Sequence, residues 1–311
     1  MKTAILFSGQ GAQTVGMGKD IAAEDPQFAK FFAKADDLLG FPLTNITFDG
    51  PAEELTRTAI CQPALYVHGF ACLDALLRRV PNLQISAAAG LSLGEFTAHA
   101  AAGSFSFEDG LTLVKKRATA MQKACDETNG TMAAIIGADE SKVRDLAAAT
   151  DVDVANYNCP GQIVLSGERS KITLALSLAK EFGARKAVEL NVAGAFHSRL
   201  MESAYQHLKI ALEQTLIIPP KFPIVCNVDA RAVSEPSEIR RSLAEQVTSS
   251  VRWTESIEYL TDHLGCQRFI ELGPGGILAG LVARIRKGIP ILSVSNLASL
   301  DDAVRQLTNS P

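Results

Sequence analysis

The stretch Gly90-Leu91-Ser92-Leu93-Gly94 limits the possible folds more than any other in the chain. Ahead of it, Ile85-Ser86-Ala87-Ala88-Ala89 is short, apolar and small, as a buried strand would be. Behind it, Leu93 to Ala102 contains good helix formers and no proline. A G-x-S-x-G pattern between a strand and a helix is the arrangement of a nucleophile elbow. The glycines let the backbone turn tightly past the serine, because a Cβ there would crowd the turn. Ser92 is then held clear of a sheet at a helix N-terminus, whose N–H groups stabilise negative charge. An ordinary glycine-bounded turn would show the same five residues; the strand and helix on either side favour the nucleophile. The pattern predicts serine acyl chemistry on an α/β scaffold and leaves the substrate open.

The first strand, Thr3–Phe7, runs into Ser8-Gly9-Gln10-Gly11-Ala12-Gln13-Thr14. This is close to the dinucleotide fingerprint G-x-G-x-x-G, but Thr14 stands where a third glycine is needed for helix packing. No second strand ending in an acidic residue follows; Asp25-Pro26 opens a helical stretch instead. A glycine-rich turn here can also bring a backbone N–H to a reacting carbonyl, as the second donor of an oxyanion hole. Helical patterns cover Pro26–Leu39, Ala52–Thr58 and Pro63–Val80. His68, in the last of these, and His99, after the elbow, read as packed core residues. Ser106-Phe107-Glu108-Asp109 resembles a capping box, opening a helix that runs to Cys125. Arg117 sits at the edge of that helix's apolar face. It either snorkels to water or waits, partly buried, to grip a carboxylate. The residues alone leave both open.

After Asn129-Gly130 the rhythm changes to strand Thr131–Ile136, helix Glu140–Ala149, strands Val152–Asn156 and Gln162–Ser166, helix Lys171–Phe182 and strand Arg185–Leu190. That β-α-β-β-α-β order predicts a ferredoxin-like subdomain over 129–193, inserted into a large domain made of 1–128 and 194–311. Asn158-Cys159-Pro160-Gly161 is its central turn. His197 lies in a loop before a helix spanning Arg199 to Leu216, outside any amphipathic stripe. It is the best-placed general base for Ser92, against the alternative that it only caps that helix. Strands Pro223–Val228 and Arg268–Leu272 complete the main sheet, with helices near Ser237–Val247, Thr254–Leu264 and Ile277–Arg286. Gly273-Pro274-Gly275-Gly276 lacks the lysine of a phosphate loop and reads as a tight turn.

A net charge of −4 gives no footprint for nucleic acid. Six scattered cysteines without C-x-x-C or histidine pairing argue against a zinc site or a disulfide framework and suit a cytoplasmic protein. The first apolar run is too short for a signal peptide. No stretch is read as approaching the roughly 18 apolar residues of a membrane span. No metal or cofactor is expected, and a monomer is the default.

Taken together, Gly9-Gln10-Gly11-Ala12-Gln13, Gly90-Leu91-Ser92-Leu93-Gly94-Glu95, Arg117, Gly194-Ala195-Phe196-His197-Ser198 and Glu271-Leu272-Gly273-Pro274-Gly275 resemble the malonyl-CoA:acyl carrier protein transacylase family. The likeness runs from residue 3 to about residue 295. It implies an α/β-hydrolase-like large domain with a ferredoxin-like insert. It also implies an [acyl-carrier-protein] S-malonyltransferase that moves malonyl from malonyl-CoA to the phosphopantetheine thiol of acyl carrier protein. By the resemblance, Ser92 is the nucleophile and His197 its base, oriented by a backbone carbonyl. The backbone N–H groups of Gln10 and Leu93 form the oxyanion hole, Arg117 pairs with the malonyl carboxylate, and Gln246 lies near His197. Two departures stand out: Ser8 replaces a frequent proline, and Leu91 replaces a frequent histidine beside the nucleophile, which bears on acyl preference. An acyl hydrolase, a trans-acting polyketide acyltransferase and a non-catalytic carrier-protein docking module are the competing readings. Lys115, Lys116, Arg199, Arg284, Arg286 and Lys287 are candidates for a basic docking patch.

Overall fold

The computed structural model describes residues 1–309. Its strands are Thr3–Phe7 (β1), Ile85–Gly90 (β2), Gly130–Ile136 (β3), Asp153–Cys159 (β4), Gln162–Glu168 (β5), Lys186–Glu189 (β6), Ile224–Val225 (β7), Ala232–Val233 (β8), Arg268–Leu272 (β9) and Ile291–Val294 (β10). Two sheets result. The larger has the order β10-β9-β1-β2-β7-β8, parallel except for the short edge strand β8. The smaller is antiparallel, with the order β4-β5-β3-β6.

Strand β1 is buried along its whole length and β2 over its last four residues, as expected of central parallel strands covered by helices on both faces. The register pairs Phe7 with Gly90, so the turns leaving β1 and β2 emerge side by side at the carboxyl edge of the sheet. Ligand sites of open α/β sheets lie at this edge. The helix Thr58–Arg79 is the central core helix, and it starts five residues before the proline read as its beginning. Pro63 therefore sits inside it, removing one intrahelical N–H donor. With 22 residues it is also long and apolar enough to cross a membrane, contrary to the expectation that no segment comes near. Burial of 83% of that apolar window inside the fold shows what the apolarity serves.

The small sheet carries helices Glu140–Thr150 and Arg169–Leu178 over its own apolar core of residues such as Ile135, Leu146, Leu165 and Ile172. Strand order and connectivity are those of the ferredoxin-like unit. Its edge strand β4 is tied to the large body by main chain: Val251 N–H donates to Ala155 O at 2.8 Å, and Tyr157 N–H to Val251 O at 2.9 Å. Beside this seam Arg199 grips Asp153 and Asp151. Arg286 is likewise paired, with Asp262 and Glu258.

Three further differences from the sequence reading have local causes. The strand read over Pro223–Val228 shrinks to β7, because Cys226 N–H bonds Arg231 O and turns the chain out of the sheet. The helix read from Arg199 opens as a 3-10 turn and becomes α-helical over Glu202–Glu213. Strand β10 and the helix Leu297–Thr308, unassigned from sequence, extend the large sheet past β9; Asn296 caps that helix by accepting from Ser299 N–H.

Candidate active site

The elbow has the strained backbone that its sequence pattern requires. Ser92 has φ 53° and ψ −106°, a conformation that non-glycine residues seldom adopt. A Cβ on Gly90 would come within 1.9 Å of the Gly94 carbonyl carbon, and one on Gly94 within 2.1 Å of Phe7 O, so neither position admits a side chain. Asn227 holds the turn in place. Its Oδ1 accepts from Ser92 N–H at 2.7 Å and its Nδ2 donates to Gly90 O at 2.8 Å. One buried side chain thereby satisfies the Ser92 N–H and the Gly90 carbonyl, the two polar groups that bracket Leu91.

Ser92 Oγ lies 2.8 Å from His197 Nε2, and His197 Nδ1 lies 2.7 Å from Gln246 O. A carbonyl can only accept, so Nδ1 carries the proton and Nε2 presents its lone pair to the serine hydroxyl. Burial, followed by the nearby charge of Arg117, pushes the imidazole down to about 4, which keeps it neutral at physiological pH. His197, with φ 55°, also sits in strained backbone.

Arg117 is 1% exposed, which decides between the two readings of it: the side chain does not reach water. Its Nη1 donates to Gln62 Oε1 at 2.7 Å, and its Nη2 to Ser92 Oγ at 3.0 Å and Gln246 Oε1 at 2.8 Å. The guanidinium lies over the Phe96 ring, 5.4 Å from its centroid, and Nε has no partner. Burial pulls the group down to about 10, with Glu95 opposing. It has no carboxylate in ion-pair contact among the described residues, while its planar donor face is directed at the serine. Such a group fits an anionic substituent on an acyl chain.

Leu93 opens the helix Leu93–Ala101, and its N–H belongs to the first turn, where intrahelical acceptors are lacking. Gln10 lies in the turn leaving β1, which the sheet register sets beside the elbow. Gln10 and Ser92 line the same cleft. The cleft over them, about 470 Å³, is bounded by Leu91, Phe196 and Ile277 from the large body and by Asn156, Asn158 and Gln162 from the small sheet. His68 and His99 are buried away from Ser92, beside Ser295 O and Ser104 Oγ respectively. Glu271, in the last quoted motif, accepts from the N–H groups of Leu278 and Ala279 and anchors the glycine turn. Ser8 points its hydroxyl at this carboxylate from 3.5 Å.

Three members of the site escaped the sequence reading. Asn227 falls in a stretch that reads as strand, Glu95 stands out only as part of its motif, and Gln62 directly precedes a stretch that reads as helix. The glycine bounding Ser92 did place Glu95 in the first helical turn, which was the one signal available for it.

Comparison with known proteins finds relatives over nearly the full length of the chain. The family described as acyl transferase domain matches residues 5–290. The malonyl CoA-acyl carrier protein transacylase of Bacillus subtilis is 39% identical, over 98% of this chain and 97% of its own length. That of Haemophilus influenzae is 38% identical, over 96% and 97%. The acyl-carrier-protein S-malonyltransferase structure from Bartonella henselae superposes with TM-score 0.94 at 38% identity, covering 99% of this chain and all of that one. A malonyl-transacylase solved in complex with a type II polyketide acyl-carrier protein gives TM-score 0.93 at 35% identity, covering 98% of this chain and all of that one. By its sequence, its fold and the matched length, the chain belongs to the acyl transferase family and, within it, to the malonyl-CoA:acyl carrier protein transacylases.

Proposed function

We propose that the protein moves a malonyl group from malonyl-CoA to the phosphopantetheine thiol of an acyl carrier protein, through an ester on Ser92. The carrying observation is that Ser92 Oγ is shared between His197 Nε2 at 2.8 Å and Arg117 Nη2 at 3.0 Å. One contact activates the oxygen; the other marks where a negative acyl substituent ends. Neutral His197 takes the hydroxyl proton as Oγ attacks the thioester carbonyl. The N–H groups of Gln10 and Leu93 receive the oxyanion, a role in which one donor is typically worth about 10²–10³ in rate. The peptide carbonyl of Gln246 holds the imidazolium while the charge lasts. His197 then returns the proton to the departing sulfur of coenzyme A. The carrier thiol repeats the steps in reverse order, freeing Ser92.

Arg117 selects the substrate. A malonyl carboxylate satisfies the buried guanidinium, whereas an acetyl group leaves it unpaired, a difference of about 1–3 kcal/mol. The acyl carrier protein is the protein partner, as the relatives' names and the complexed neighbour support. The reaction serves fatty-acid synthesis, with the enzyme working as a cytoplasmic monomer.

The test is intact mass after incubation with malonyl-CoA or acetyl-CoA, repeated with Ser92→Ala. A malonyl adduct that needs Ser92, forms poorly from acetyl-CoA and departs only when carrier protein is added supports the reading. An adduct lost equally fast in buffer means a hydrolase. No adduct would leave a carrier-docking module.

A further inference from the structure

The site holds one buried carboxylate that the acyl-transfer steps leave unused. Glu95 lies in the first turn of the helix that Ser92 begins, with no surface exposed. Its Oε2 accepts from Gln246 Nε2 at 2.7 Å and from Asn227 N–H at 3.0 Å. Its Oε1 has no partner. Gln246 Oε1, at the other end of the same amide, accepts from Arg117 Nη2 at 2.8 Å. The glutamine therefore stands between carboxylate and guanidinium with one hydrogen bond to each, and its Nε2 also reaches Ser92 O at 2.9 Å.

The groups facing Glu95 come from several elements, and their charges are few. On its own helix His99, one turn on, is pushed by burial down to about 3 and is neutral. From the loop after β7, burial lifts the Cys226 thiol to about 11, and Asp229 adds negative charge nearby. His197 is neutral. Arg117, from the helix Phe107–Glu127, is the only cation of this set. Burial raises Glu95 to about 7, with Gln246, Asn227 N–H and Arg117 pulling it back toward the ionised form.

A malonyl carboxylate seated on Arg117 puts a second anion opposite one buried cation. Two negative charges against one buried cation, one of them on a fully buried side chain, do not both persist; the one without direct contact to the guanidinium is neutralised. We infer that Glu95 is the resident counter-charge of Arg117, relayed through Gln246, and that it takes up a proton when a malonyl group is loaded onto Ser92. This rests on the malonyl-transfer reading above. Glu95 is thus a positioning and specificity-determining residue. An acetyl group brings no charge and leaves Glu95 ionised. Loading malonyl consumes a proton, loading acetyl does not, and the malonyl preference falls as pH rises past neutrality. The acyl step itself is balanced: the serine proton ends on the thiol of coenzyme A, so any net uptake belongs to another group.

The experiment measures proton uptake with a pH indicator in weak buffer near pH 8, alongside intact mass, for the wild type and Glu95→Gln. The expected result is uptake approaching about one proton per malonyl-enzyme formed, none per acetyl-enzyme, and none in Glu95→Gln. In that variant the pH dependence of the malonyl-CoA KM between about pH 6 and 8 also disappears, while the wild type keeps it. Infrared difference spectra of the wild type alone cover the case in which the variant fails to fold. Malonyl loading should raise a protonated-carboxyl band that carbon-13 in the malonyl group does not move. A malonyl adduct without proton uptake or that band overturns the role of Glu95 and leaves malonyl transfer standing. Absence of any malonyl adduct removes both.

Discussion

The imidazole of His197 is oriented by a peptide carbonyl, with Nδ1 2.7 Å from Gln246 O, where many serine enzymes place a carboxylate. A carbonyl fixes the tautomer but does not raise the basicity of the ring as an anion would. Burial and the charge of Arg117 then act unopposed by any negative partner in contact with the ring and hold the imidazole down to about 4. The acid limb of kcat/KM for malonyl loading should therefore lie well below the ordinary histidine value of about 6.5. Loading rates measured from pH 4 to 8 check this, and a midpoint near 6.5 would contradict it.

The same depression predicts how stability depends on pH. His68, His99 and His197 are held down to about 4, about 3 and about 4 by burial. Each protonates more readily in the unfolded chain, so its contribution is complete above about pH 6.5 and lost as pH falls toward the folded values. Thermal melts should show Tm dropping through this window before most carboxylates titrate. Replacing His99 with Gln should flatten part of the drop.

Arg117→Ala should reduce malonyl loading about 10–100-fold more than acetyl loading, the penalty of an unmet buried charge being removed along with its ligand. Competition between the two thioesters, read by intact mass, gives the ratio. Equal losses for both would remove Arg117 from substrate selection.

Asn227→Ala leaves Ser92 N–H and Gly90 O without their buried partner. A loss of about 1–3 kcal/mol in stability is expected, read by denaturant melts. The loading rate should fall with it, because the strained φ of Ser92 then lacks its restraint. Asn227→Asp restores the acceptor for Ser92 N–H but not the donor for Gly90 O, so it should recover only part of the rate.

Gly94→Ala should not yield an active enzyme. The added Cβ would stand 2.1 Å from Phe7 O, where β1 and the helix after Ser92 touch. Either the helix shifts and the loading rate falls by ~10²-fold or more, or the protein fails to fold; circular dichroism and intact mass separate the two.

How much of this was legible from sequence follows from the range of each interaction. The elbow was legible because strand, glycines, serine and helix are contiguous. The antiparallel sheet was legible because its strands and helices alternate within about 60 residues. His197 stood out by lying in a loop rather than on a stripe. Asn227 did not, because Ile224 and Val225 begin a true strand and only the tertiary fold turns the chain out after them. Glu95 carries no sequence mark of its burial, since a glutamate in a helix's first turn is ordinary capping composition. Arg117 was undecided for the same reason: its exposure depends on what packs above it.

The site draws Ser92, Arg117, His197 and Gln246 from four separated stretches, with Gln246 donating to Ser92 O across 154 positions. Contacts of that separation form late, after the loops between them have closed. Helices and the local pairing of β3 with β5 can appear earlier, yet none of them alone brings a base, a cation and an elbow together. Regain of acyl loading during refolding should accordingly trail the recovery of secondary structure. Catalysis in this chain is a property of the finished tertiary topology.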